Sequence, residues 1–327
     1  MDISFIIQTT LVTTIPLLIV ALAGVFAERS GIINLALDGE MIFGAFIGAI
    51  FCKVMISHGI MQATSQWLYL LGMLVAMVSG ALMSLLLSFA AIRMKADQTI
   101  AGTALNTLAP AIVCAFGLLF FNSEKIASGA NFVLTTASYS DGFASAIKNS
   151  SLLSFFFDKV YISTYICILI FVLLSIWLYK SKTGTHIRAC GEHPQAADSV
   201  GINVYRMRYL STTISGALAG LGGFVYVATS TGAIAESQVG GLGFLALAIM
   251  IFGNWNPFFI SLGAILFGFL KCLGVLSAQI PFMKNWNLPM YFYNMLPYVI
   301  VILVLIITHN KSGCPKAEGV PYDKGQR

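Results

Sequence analysis

Long apolar runs separated by short polar stretches dominate this chain. Seven of them are Ile3–Phe26, Trp67–Ile92, Thr99–Phe121, Val160–Tyr179, Tyr209–Thr229, Pro257–Ser277 and Tyr291–Thr308. Each supplies the roughly 20 residues that an α-helix needs to cross about 30 Å of hydrocarbon. Two further runs, Met41–Met55 and Leu242–Phe252, are too short to cross unless flanking residues extend them. The pattern predicts an all-α fold, a polytopic transmembrane helical bundle of about nine membrane segments, some short or broken.

Composition identifies the solvent. Charged residues make up 9% and hydrophobic residues 58% of the chain, against about 25% charged in an ordinary soluble domain, so most of the surface must meet lipid. Met1–Ser4 carries no Lys or Arg and the first run exceeds a signal core, so it is expected to stay as a helix.

Basic residues predict an orientation. Lys180, Lys182, Arg188, Arg206 and Arg208 fall in one polar loop between the fifth and sixth segments, which the positive-inside rule places in the cytoplasm. Alternation then puts Arg29, Arg93, Lys95 and the tail with Lys311, Lys316, Lys324 and Arg327 on the same side, and the amino terminus outside. Lys53, Lys125, Lys148, Lys159, Lys271 and Lys284 are the exceptions. The expected organisation is a transmembrane domain over 1–309, with a cytoplasmic loop over 180–208 and an external loop over 122–159, then a cytoplasmic tail over 310–327.

Catalytic chemistry is not legible. The six cysteines are scattered without a CxxC spacing, and the four histidines have no metal-ligand partner at useful spacing. There is no G-x-x-x-x-G-K-[ST] phosphate loop, no H-E-x-x-H and no dinucleotide fingerprint. No enzyme activity, cofactor or metal is expected of this chain, and any ATP must be handled by a partner.

The stretch "ERSGIINLALDGEMIFGAF", residues 28–46, places Glu28, Arg29, Asp38 and Glu40 between apolar runs. A charge at a helix centre costs about 2.5–3.5 kcal/mol to insert, so Asp38 and Glu40 are not expected to face lipid. Either they lie at the interface, or they point into the bundle near a break. Gly31 and Gly39 favour a break, and Asn34 and Asp38 can bond the backbone groups that a break exposes. Glu28 and Arg29 fit an ordinary cytoplasmic turn equally well. "LALDGEMIFG" at 35–44 also echoes "LALAIMIFG" at 245–253, and paired short, interrupted segments in a transporter point to the central pathway.

In the basic loop, "GTHIRACGEHPQAADSVGINVYRMR" at 184–208 has Pro194 where a first helical turn accepts it and Gly201 where a helix stops. A short helix over Gln195–Val200 is expected, about 10 Å long. Its small Ala196 and Ala197 permit close approach by another surface.

Together with "SGALAGLGG" at 215–223 and "GLGFLALAIMIFGNWNP" at 241–257, these motifs resemble the permease subunits of ABC importers for simple sugars and nucleosides, most closely the nucleoside branch. The resemblance implies an all-helical permease paired with a second, related permease, ATP-binding subunits on its cytoplasmic face and an extracytoplasmic solute-binding protein outside. It places the chain in the bacterial cytoplasmic (inner) membrane as a multi-pass protein. Gly191, Glu192, Pro194, Ala196, Ala197 and Gly201 match the family's segment for coupling to the ATPase. Glu28, Gly31, Asn34, Gly39 and Glu40 match the motif near its translocation path. His193 stands where Asn or Asp is frequent, and Ala36-Leu37-Asp38 where Gly-x-Glu is common, which leaves open whether Asp38 or Glu40 takes the family's acidic role.

A solute path needs weakly polar groups that bind without trapping. Asn34, Gln98, Thr103 and Asn106 are candidates, the last three on one broad face of a helix, and internal hydrogen bonding between helices is their other reading. Gly216 and Gly220 form a small-xxx-small pair suited to close packing, within the bundle or against the sister subunit. Two alternatives remain in view: a ribose-type sugar permease, and an ion-coupled secondary transporter using Asp38, Glu40, Glu236 or Lys271.

Overall fold

The computed structural model describes residues 3–135, 158–276, 290–308 and 313–324. The apolar runs become helices α1 (Ile3–Arg29), α2 (Leu37–Ser57), α3 (Gln66–Ser88) and α4 (Gln98–Phe121) in the first half. The second half holds α5 (Ile162–Lys180), α6 (Lys182–Glu192), α7 (Pro194–Ser199), α8 (Val204–Ser230), α9 (Leu242–Phe252), α10 (Pro257–Leu276) and α11 (Met290–Thr308). Polar residues at the run boundaries start several of them. Asp97 accepts from the N–H groups of Thr99 and Ile100, Ser181 from Gly184 and Asn203 from Arg206, each covering donors that a helix start leaves free.

Among the described residues, seven helices are long and apolar enough to cross a membrane, and α9 and α11 bring the apolar segments to nine. The run Met41–Met55 does gain flanking residues, and α2 reaches 21 residues. Helix α9 stays at 11 residues, about 16 Å at 1.5 Å per residue, or half a bilayer core.

Helices α1 and α8 form the centre. Leu17, Ile19, Val20, Ala21 and Leu22 on α1 are fully buried, and α8 packs against α1, α2 and α3. The glycines of "SGALAGLGG" set these approaches. A Cβ on Gly216 would fall 2.5 Å from Gly80 O, one on Gly220 would fall 2.3 Å from Ala76 O, and one on Gly223 would fall 2.1 Å from Met41 O. Lipid offers no hydrophobic drive for helix association, so such backbone contact supplies the dispersion that holds the bundle. The glycine pair therefore packs within the chain itself.

The two ends of the bundle differ. At one end Arg29, Lys95, α6, α7 and residues 313–324 gather, through Arg29–Glu192 (3.9 Å), Lys95–Asp323 (2.6 Å) and Lys324–Asp198 (3.7 Å). At the other, β1 (Ile126–Ala127) and β4 (Ile234–Ala235) pair antiparallel, as do β2 (Val133–Leu134) and β3 (Val160–Tyr161). Lys125 and Glu236 meet there at 2.8 Å. Most of the long loop expected over 122–159, and Lys148, Lys284, Lys311 and Arg327 of the orientation argument, lie outside the described residues.

One basic residue departs from the sequence reading. Arg208, expected in a polar loop, sits in the first turns of α8 and is 1% exposed.

Candidate functional site

Helix α1 ends at Arg29, and Ser30–Ala36 leave helical geometry with Gly31 at φ 91°. An L-residue is strained there, and glycine is not. The chain then turns back into the bundle. Ser30 O accepts from Arg208 Nε (3.2 Å), while Asn34 Nδ2 donates to Ser215 Oγ (2.9 Å). Those partners stand seven positions apart on α8, about 10 Å. Helix α2 thus begins inside the bundle rather than at its end. The break expected near Gly31 is present, whereas Gly39 lies within α2, where its missing Cβ admits Leu105 O of α4.

Side chains satisfy the backbone of this returning segment, as hydrocarbon requires. Asn34 Oδ1 accepts from Ala36 N (3.0 Å), and Gln98 Oε1 accepts from Ile33 N (2.7 Å). Asn106 serves both polarities, accepting from Gly39 N (2.7 Å) and donating to Leu35 O (2.5 Å). Asn34 Nδ2 also donates to Glu40 Oε2 (3.0 Å), and the fully buried Glu40 keeps Oε1 without a hydrogen-bond partner among the described residues. Asp38 Oδ1 accepts from Gly243 N (2.8 Å), so the starts of α2 and α9 meet inside the bundle.

The candidate path residues therefore separate. Asn34, Asp38, Glu40, Gln98 and Asn106 gather around the break. Thr103 does not: it is exposed on the outer face of α4, its hydroxyl turned to Thr99 O and Ile100 O of its own helix. Glu28 is buried at the far end of α1, where its carboxylate accepts from Trp255 Nε1 (2.6 Å). Phe46 is buried and Phe43 half-buried. Of the four candidate coupling charges, Asp38 and Glu40 lie at the start of α2, Glu236 pairs instead with Lys125 at the strand end, and Lys271 lies over the Tyr298 ring at 5.6 Å. Among the described residues no group of three or more His, Cys, Asp and Glu could hold a metal ion.

The predicted loop helix forms one residue earlier than expected, as α7, with Pro194 at its start and Gly201 at φ 87° just beyond its end. Gln195, Ala196, Ser199 and Gly201 are exposed, and Val200 is 75% exposed. Ala197 is turned inward instead, packed with Cys190, Val204 and Tyr322. That burial pushes the Cys190 thiol up to about 11, against the opposing charge of Arg208. Just before α7, Gly191 lies against the end of α1: an added Cβ would stand 2.4 Å from Arg29 O. The side chain of Glu192, 45% exposed, faces Arg29. A continuous set of contacts therefore runs from exposed α7, through Gly191 and Arg29, to the break and its polar cluster.

Arg208, Trp255 and residues 313–324 enter this region without a local sequence signal. Trp255 carries φ 56° and its carbonyl accepts from the Tyr179 hydroxyl.

A helical bundle with a polar break at its centre fits the broken helices with which transporters line their central sites. The chain belongs to the family described as "Branched-chain amino acid transport system / permease component", which matches residues 6–305. It is 38% identical to the guanosine ABC transporter permease protein NupQ of Bacillus subtilis (strain 168), covering 99% of this chain and 98% of that one. It is 35% identical to the nucleoside ABC transporter permease protein NupC of Lactococcus lactis subsp. cremoris (strain MG1363), covering 98% and 97%. It is also 27% identical to the putative glucose ABC transporter permease protein TsgC13 of Haloferax volcanii, over 84% and 78%. No solved structure gives a significant match.

Proposed function

We propose that this chain is the membrane-spanning subunit of an ATP-driven importer of nucleosides. The observation that carries the solute class is similarity at 38% and 35% identity, over almost all of both chains, to a guanosine and a nucleoside permease. ATP-binding subunits dock on the end that bears α7, which is the cytoplasmic end, so the carboxyl terminus is inside and the amino terminus outside. A related permease packs beside this one, with Thr103 and the exposed face of α4 turned to the shared path. A solute-binding protein delivers nucleoside at the strand-bearing end, in the inner membrane of a bacterium.

The mechanism follows from the contacts. Closure of the ATP-binding subunits displaces α7, whose motion reaches Arg29 through Gly191 and Glu192 and so moves the turn that carries Asn34 and the start of α2 that carries Asp38. Asn34, Gln98 and Asn106 keep the backbone of that turn bonded, and Asp38 and Glu40 add polar side chains beside it for the solute. A sugar permease is the second reading, favoured by the similarity to a putative glucose permease.

Uptake of labelled guanosine and of labelled ribose, in cells with and without this gene, decides between them. Loss of guanosine uptake alone supports the proposal, and loss of ribose uptake alone assigns the chain to sugars. Uptake that persists after the ATP-binding subunit is deleted would instead mean an ion-coupled transporter.

A further inference from the structure

Residues 313–324 lie folded across the end of the bundle rather than trailing from it. Ala317 N–H donates to Gly191 O (2.9 Å) at the end of α6, and Gly319 N–H donates to Gly31 O (3.2 Å) in the break. Arg208 stands between them, donating through Nε to Ser30 O (3.2 Å) and through Nη1 to Val320 O (3.1 Å). Asn254 accepts from Gly313 N, and Arg29 Nη1 reaches Gly313 O at 3.5 Å.

Packing adds to these bonds. Tyr322 is 5% exposed, clusters with Cys190, Ala197 and Val204, and stacks obliquely on Tyr205 with ring centroids 5.3 Å apart. The outer fastenings, Lys324 with the half-buried Asp198 and the exposed pair Lys95–Asp323, are solvent-accessible ion pairs and contribute little beside the buried contacts. The segment therefore grips α6, α7, α8 and the α1–α2 turn at once. Arg208 is the centre of that grip: its buried guanidinium has backbone carbonyls as hydrogen-bond acceptors, one from the turn and one from the segment. Its Nη2 already has no hydrogen-bond partner among the described residues, so removing either carbonyl leaves still more of a buried cation unpaired, which is costly.

We propose that Gly313–Lys324 is a strap that makes α6–α7 and the α1–α2 turn move as one body, with Arg208 as its positioning residue. Displacement of α7 is then delivered to the polar break instead of being absorbed by bending at His193. This inference rests on the coupling role proposed for α7.

The test uses the full transporter with its ATP-binding subunit, sister permease and binding protein, comparing the native chain with one ended after Ser312 and with Arg208→Gln. Co-purification with the ATP-binding subunit and basal ATP hydrolysis are expected to stay within about twofold of native, while guanosine uptake falls by about tenfold or more and hydrolysis no longer responds to loaded binding protein. Near-native uptake by the shortened chain overturns the strap. Should that chain fail to accumulate, Tyr322→Ala and Ala317→Pro put the same question. Native uptake in both Tyr322→Ala and Ala317→Pro overturns it equally. Gly201→Pro in parallel separates the two levels: if it leaves uptake intact, the coupling role of α7 is wrong, and if it abolishes uptake while the strap variants do not, only the strap is wrong.

Discussion

Asp38 Oδ1 accepts the Gly243 N–H at 2.8 Å across 205 positions of sequence, joining the first turn of α2 to the first turn of α9. A helix start exposes four backbone donors, and in hydrocarbon there is no water to take them. The carboxylate covers one of these and sits at the positive end of the α9 dipole. Two helices can therefore begin inside the bundle, with their first turns in close contact.

Replacing Asp38 with Ala leaves a buried donor without its acceptor and should cost about 1–3 kcal/mol, whereas Asn keeps an acceptor and should cost less. Gly243→Ala should be more damaging than either, because the added Cβ would stand 2.4 Å from Asp38 N. Gly263→Ala, which meets only Ile249 Cγ2 at 3.3 Å and Ile249 O at 3.9 Å, serves as the control. Thermal unfolding of the detergent-solubilised complex measures the order, and equal melting temperatures for Gly243→Ala and Gly263→Ala would contradict it.

On α4, Asn106→Ala and Thr103→Val should act differently. Asn106 holds two backbone groups of the returning segment, so its loss should lower the melting temperature and the amount of permease in the membrane. Thr103 holds no other element, and its replacement should leave the amount unchanged while shifting the apparent solute affinity. Quantitative blotting beside uptake curves tests both, and an Asn106→Ala protein of native stability would remove its supporting role.

In the loop, Glu192→Ala and Gly201→Pro should keep the permease in the membrane yet uncouple ATP hydrolysis from uptake. Proline holds φ near −65°, far from the 87° of Gly201, and would also delete the Gly201 N–H that donates to Asp198 O (3.0 Å). Hydrolysis and uptake measured on the same proteoliposomes give the coupling ratio. An unchanged ratio in both variants would remove α7 from the coupling role.

Gly220→Val should prevent accumulation of the chain. Its side chain would enter space already held by Ala76 O at 2.3 Å and Gly80 Cα at 3.0 Å, so α3 and α8 would have to separate. Protease-resistant, folded permease at native level in this variant would refute the close packing.

Cys314 reports on the strap by its pH response. Cys314 is exposed at the surface, yet partial desolvation of its sulfur, then the hydrogen bond to Glu318 and the charges of Glu318, Glu28 and Glu192, push its thiol up to about 12. Alkylation, which consumes the thiolate, should therefore keep rising about tenfold per pH unit through pH 10. A free thiol would level off near its ordinary value of about 8.5. Because the raised value favours the neutral thiol in the docked segment, this contribution is complete below that ordinary value and is lost as pH climbs toward 12. A plateau below pH 10 in a Cys114→Ser background would show the segment undocked, and Arg208→Gln should produce that plateau.

Apolar run length was enough to place the helices, because each spanning segment satisfies its own backbone and needs only about 20 suitable residues. Local chemistry likewise announced the break near Gly31, the start of α7 at Pro194 and its stop at Gly201. The same pattern could not say which side of a helix faces inward. Lipid and protein interior are both apolar, so no periodicity distinguishes the buried Gln98 from the exposed Thr103 on α4, and in the six-residue α7 two adjacent alanines give no signal that Ala197 is buried and Ala196 exposed. Nor could it pair Asp38 with Gly243, Glu28 with Trp255, or Arg208 with the carbonyls of Ser30 and Val320. Those partners are distant in the chain, and a buried polar group finds its match only when packing brings two backbones within hydrogen-bond reach.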